Sequence, residues 1–201
     1  MKSLYNFIVK PLTTRYNNKK QIGDKTLIIN TTIENHRFVS KEAVVVSVPA
    51  AYSSRIKVGD KVYVHHNLFR RWYDQKGRER NSSTYFKDDL YFCNISQIYM
   101  YNGKCNLDYC FVKPILETSN LKGDKLKSLR GILKYGNSSL EAMGVNPGDY
   151  VGFKPGSEFE FVVNKELFYC MKSNDIVVKH ERKGNETEYN PSWAESSRGI
   201  N

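Results

Sequence analysis

Short apolar runs, alternating or doubled, recur along the chain between clusters of Gly, Pro, Asn, Asp and Ser: FIVKPL (residues 7–12), AVVVSV (43–48), KVYVHH (61–66) and LYFC (90–93) in the first half. Runs this short, rich in Val, Ile, Tyr and Phe, predict β-strands. Pro11 and Pro114 stop two of them, because proline has no N–H to give to a ladder. Gly59-Asp60 and Gly148-Asp149 mark turns ahead of the alternating segments KVYVHH and YVGFK. Strands at this spacing predict an all-β chain of small closed barrels.

The pattern repeats. NFIVKPL (6–12) returns as YCFVKPI (109–115), and EAVVVSVP (42–49) as LRGILKYG (129–136). IKVGDKVYVHHN (56–67) matches VNPGDYVGFKPG (145–156), and DDLYFCNISQIYMY (88–101) matches KELFYCMKSNDIVVK (165–179). Four blocks in one order predict a tandem duplication with its seam near residues 102–106. The first unit then spans 1–104 and the second 105–180, and the polar residues 181–201 read as a flexible tail in which Trp193 stands alone.

Composition narrows the classes. The chain has 201 residues, 40% hydrophobic and 26% charged, which suits globular units rather than a disordered chain. No apolar run approaches the roughly 18 residues of a membrane span, and the apolar stretch in MKSLYNFIVKPL is too short for a secretory signal. A soluble cytoplasmic protein with no membrane partner is expected. The net charge is +10, but the charges are scattered. Their densest cluster, FRRWYDQKGRER (69–80), holds Arg70, Arg71, Trp72, Arg78 and Arg80, which suit phosphate contact and base stacking or, equally, the tip of a long hairpin. Nucleic acid is the minority reading.

No metal or catalytic constellation stands out. Cys105 and Cys110 have the wrong spacing for a zinc knuckle, and adjacent His65 and His66 would face opposite ways in a strand. Cys93 and Cys170 read as small core residues. There is no glycine-rich phosphate loop and no Gly-x-Ser-x-Gly elbow. His36 and His180 read as surface residues, and Asp88-Asp89 as a solvated turn. The chain is expected to be no enzyme.

One feature resists the strand pattern: Leu27, Ile28 and Ile29 stand together inside the polar stretch QIGDKTLIINTTIEN (21–35). The order of strand, Lys-Pro, long polar loop, VVVSV, IKVGDKVYV, charged insertion, LYF and SQIYMY resembles the GroES-like co-chaperonins over residues 5–101, and again over 108–180. The resemblance implies two tandem GroES-like barrels, a mobile loop (about 13–40) and a roof hairpin (about 68–86) in the first, and a phage-encoded protein acting in the host cytoplasm. It implies that Leu27, Ile28 and Ile29 dock in an apolar groove of a chaperonin ring, and that the chain forms a homo-oligomeric ring that encapsulates unfolded clients. It implies no cofactor on this chain, since ATP and Mg act on the chaperonin. The second unit departs from the pattern: its loop has no triplet, only Leu126 and Leu129 as a weaker plug. The flanks of the first loop are too polar to bury a core and are expected to stay disordered when free. The rival reading is a virion structural or nucleic-acid-binding protein that reuses the barrel.

Overall fold

A computed structural model describes residues 2–16, 19–28, 38–116 and 126–196. The strands are β1 (Phe7–Pro11), β2 (Lys19–Ile22), β3 (Lys25–Ile28), β4 (Glu42–Ser47), β5 (Lys61–Val64), β6 (Arg71–Tyr73), β7 (Glu79–Asn81), β8 (Tyr85–Lys87), β9 (Leu90–Cys93), β10 (Ile98–Tyr101) and β11 (Lys104–Cys105). They continue as β12 (Tyr109–Leu116), β13 (Leu126–Tyr135), β14 (Tyr150–Phe153), β15 (Phe159–Val163), β16 (Glu166–Lys172) and β17 (Ile176–His180), with two short helices, α1 (Ser138–Ala142) and α2 (Ser192–Ser196). The chain is mostly β, in antiparallel sheets, and divides into two compact units at Gly103/Lys104.

The first sheet has the order β11-β10-β5-β4-β1-β9-β8 and the second β15-β16-β12-β13-β14-β17. Read from its other end, the second runs β17-β14-β13-β12-β16-β15, which is the first sheet's β10-β5-β4-β1-β9-β8 in the same chain order. Alternation places the core. In β4 every second residue is buried, and Val9, Val45, Val62, Tyr91, Cys93 and Ile98 meet in one cluster. Val112, Leu133, Val151, Phe153 and Met171 do the same in the second unit.

One turn recurs atom for atom. Val45 donates its N–H to the Asp60 carbonyl and accepts from Gly59, and Leu133 does so with Asp149 and Gly148. The Asp60 carboxylate accepts from Lys57 N–H, and that of Asp149 from Asn146 N–H, each at 2.8 Å. Gly59 and Gly148 stand at φ +90° and +98°, where an L side chain is strained, so glycine is required there. Both opening strands also carry an irregularity at the same place, between Ile8 and Val9 and between Phe111 and Val112.

Strand pairing corrects the residue matching. The sequence blocks place Cys93 opposite Cys170 in the repeat, but Phe7 pairs with Cys93 while Cys110 pairs with Met171, and Val9 and Val112 pair with Tyr91 and Tyr169. Inward packing sets the register: Cys93 and Met171 both belong to their unit's core, whatever their chemistry.

Two further expectations are altered. Among the described residues no hydrogen-bonded pair joins β8 to β11 or β15 to β17, so both strand orders are open-ended rather than closed into a barrel. The outer strands are poor ladders: β8 has three residues, and β15 carries Glu160. The tail is not free up to residue 196. Leu116 N–H donates to Thr187, Tyr189 N–H donates to Pro114, and α2 packs on β16. The reason is Lys113, 2% exposed, whose ammonium donates to Glu166 at 2.9 Å and Asn190 at 3.3 Å and lies 4.9 Å from the Phe168 ring centre. A buried ammonium has to find partners inside the fold, and the tail supplies one.

Gly131 lies opposite Pro114, and a Cβ there would overlap the Lys113 carbonyl and the Val112 side chain. Gly131→Ala is expected to destabilise the second unit by about 3 kcal/mol, as overpacking against backbone does; chemical denaturation followed by Tyr and Trp fluorescence measures it.

Candidate functional site

Residues 19–28 form their own two-stranded sheet between β1 and β4 in sequence. Lys20 pairs with Leu27 and Ile22 with Lys25, around a two-residue Gly23-Asp24 turn with Gly23 at φ +58°. Glycine at the first central position is what a two-residue hairpin loop asks for, so this stretch pairs where the sequence reading expects disorder. Leu27 is 54% exposed. Ile28 ends β3, and Ile29 lies outside the described residues. The expected docking triplet therefore begins at the C-terminal end of a free-standing hairpin.

The second set of candidates is placed differently. Leu126 lies on β13 opposite Leu116, and Leu129, at φ +54°, packs against its own unit's core. Leu129 is partly buried there, so part of its apolar surface is already spent within its own unit.

The charged insertion folds as the hairpin β6–β7, tipped by a turn at Asp74. The Asp74 carboxylate accepts from the backbone N–H of Lys76 and Arg78 at 2.9 Å, and from Nε of Arg78 and of Arg80 at 3.0 Å. Arg71 pairs with Glu79 at 2.7 Å. Arg71, Arg78 and Arg80 thus spend their charge within the hairpin, and Trp72 stays exposed beside them. Arg78 and Arg80 share one carboxylate, and over residues 69–80 five cations face two carboxylates, so the hairpin keeps a net positive charge. Arg70 differs: its Nε is buried and, among the described residues, has no hydrogen-bond partner.

The hairpin is fixed at its base by two residues that the sequence reading passed over. Arg15 Nε donates to the Phe69 carbonyl and Nη1 to Asn81 Oδ1, both at 2.7 Å, while its guanidinium lies 5.3 Å from the Tyr91 ring centre. Tyr16 Oη accepts from Arg71 N–H at 2.7 Å, and the Arg71 guanidinium lies 4.7 Å from the Tyr16 ring centre. Ser82 and Thr84 hydroxyls both donate to the Leu68 carbonyl. The segment leaving β1 therefore sets the position of the charged hairpin, through contacts about 55 residues away.

The histidine pair also departs from expectation. His65 and His66 do not face opposite ways but stack, 4.4 Å between ring centres, because the chain leaves β5 at Val64 and turns tightly over His66–Leu68. His65 Nδ1 accepts from Asn67 N–H, and burial, with Lys41 nearby, lowers its pKa. Among the described residues no group of three or more His, Cys, Asp and Glu side chains could hold a metal, and no helix is long and apolar enough to cross a membrane. Burial pushes the Cys110 thiol up to about 12 and that of Cys93 higher still, so neither is a poised nucleophile at neutral pH.

No protein-family model matches the chain, and no curated protein matches it in sequence. The functional reading therefore rests on the arrangement above.

The donors on Asp74, the Arg78 backbone N–H foremost, hold its pKa below the ordinary carboxylate value. A carboxylate lowered in the folded state stabilises it above the unfolded pKa and loses that contribution as pH falls through the folded one. Amide-exchange protection at Lys76 and Arg78 is expected to persist through neutral pH and to vanish only in acid below the ordinary carboxylate range. Asp74→Ala should free Arg78 and Arg80 and raise the affinity for a single-stranded oligonucleotide by about three- to tenfold at low salt, read by fluorescence anisotropy.

Proposed function

We propose that this chain is a co-chaperonin of the GroES-like type, a tandem duplication that caps a chaperonin ring and encloses clients while the partner hydrolyses ATP. The observation that carries the reading is the hairpin that presents Leu27. A half-exposed aliphatic at the end of a separate hairpin, inserted between the first two strands of the sheet, is what a docking plug needs: apolar surface, reach and no role in its own core.

Burying one such side chain contributes about 1.5–3 kcal/mol before ordering costs. One plug binds weakly, and a ring of plugs binds strongly through effective concentration. The common strand order and the recurring Gly-Asp turn support duplication of a GroES-like unit. The packing of Leu129 supports a division of labour, in which the first unit docks and the second holds the ring together. The internally paired hairpin β6–β7 suits a hydrophilic ceiling over a chamber, since a client must leave apolar surface in order to fold.

Mass photometry of the chain with a chaperonin is expected to show a discrete complex that requires ATP. Leu27→Asp, and likewise Ile28→Asp, should abolish that complex. Leu27 is already exposed, so Leu27→Asp should move folding stability by no more than about 0.5 kcal/mol. A wild-type chain indifferent to chaperonin and nucleotide would overturn the reading, as would capture of both variants at full strength.

A further inference from the structure

A group of cations on the second sheet plays no part in the reading above. Arg130, Ile132, Tyr150, Gly152, Val178 and His180 share one face of β13, β14 and β17, because Arg130 pairs with Gly152, Ile132 with Tyr150, Gly152 with Val178 and Tyr150 with His180. It is the face turned away from the main core: Leu133 and Val151 point into that core, whereas Ile132 and Tyr150 form a separate cluster with Ile115.

The side chains on this face converge. The rings of Tyr150 and His180 are 4.9 Å apart. Lys127 Nζ lies 5.4 Å from the Tyr150 ring centre. His180 sits over Gly152, where the first atom of any side chain would come within 3.0 Å of Nε2. Arg130 stands opposite the same glycine and is exposed. The neighbouring lysines are matched, Lys134 with Glu188 at 2.6 Å and Lys179 with Asp149 at 2.7 Å. Among the described residues neither Lys127 nor Arg130 has a carboxylate partner. Tyr150 is 5% exposed, and among the described residues its buried hydroxyl has no hydrogen-bond partner. Native structures satisfy nearly all such groups, and an orphan points to a missing ion or water.

We infer that Lys127, Arg130, His180 and Tyr150 form an anion site that takes a single phosphate group. The face offers two permanent cations, an imidazole and one buried hydroxyl donor, which is the donor set that a tetrahedral oxyanion with several acceptors requires. Like charges gathered on one face repel, and Arg130 and Lys127 accordingly add to burial in lowering the His180 pKa. An anion removes that repulsion and gives the tyrosine hydroxyl an acceptor. The cluster spans one bare glycine and its neighbours, so it fits one phosphate rather than a tracked backbone. Gly152 acts as a positioning residue, because its missing side chain is what seats His180.

The test uses the full chain in a low-salt buffer free of phosphate, with inorganic phosphate as the probe and the His180 imidazole resonances as the readout. A saturable shift is expected in the wild type. Lys127→Gln combined with Arg130→Gln should weaken the affinity by about tenfold or more, Arg130→Gln alone by about threefold, and Arg130→Lys should retain most of it. Arg130 is exposed, so an unchanged melting temperature accompanies the loss in its single variants. A linear, unsaturable response, or equal affinity in the double variant, would overturn the site. An unphosphorylated single-stranded oligonucleotide that displaces the phosphate with a steep salt dependence would overturn the single-phosphate assignment in favour of a nucleic-acid surface.

Discussion

A carboxylate that accepts a backbone N–H at a tight turn sets the register of both sheets. Asp60 and Asp149 each close a turn whose glycine stands at positive φ, and each turn hands two backbone hydrogen bonds to the second long strand of its unit, at Val45 and Leu133. A slip of one residue at that point would turn every inward side chain outward. The apolar cluster of each unit depends on this pin, and so does the face on which the remaining polar residues appear. In the second unit that face carries Arg130, Tyr150 and His180.

The units spend this common frame differently. The first extends its loops: a hairpin that presents Leu27, and a charged hairpin closed on itself by Asp74 and Glu79 and anchored by Arg15 and Tyr16. The second draws its chain inward, with Leu129 on the core and the tail laid along β12. Lys10 is exposed, whereas its counterpart Lys113 is buried and held from both sides. One strand order thus supports a unit made of projecting parts and another made of covered ones.

Much of the frame was legible in the sequence because it is local. Strand identity follows from short β-branched and aromatic runs, and the Gly-Asp turns announce themselves. The repeat shows through four blocks, yet matching cysteine to cysteine misplaces β16 by one residue, since burial sets register and Met171 fills the place of Cys93. What stayed hidden is non-local or depends on exact geometry. Asp74 precedes a Lys-Gly-Arg turn, a readable signal for a side chain that caps its own loop, but its reach to Arg80 needs the hairpin to be formed. Arg15 looks like any loop arginine until Phe69 and Asn81 come to it. The stacking of His65 on His66 follows from a turn that period-two reasoning does not foresee.

The buried ammonium of Lys113 has a consequence for the order of events at synthesis. One of its partners, Asn190, lies 77 residues further along the chain. Domains assemble as they emerge, starting from the N-terminal side. The second sheet cannot complete the cover over that charge until residue 190 has left the ribosome. Until then the Lys113 ammonium at the centre of its opening strand has only Glu166 and the Phe168 ring to meet it. A polypeptide cut short before residue 190 leaves that ammonium without its Asn190 acceptor.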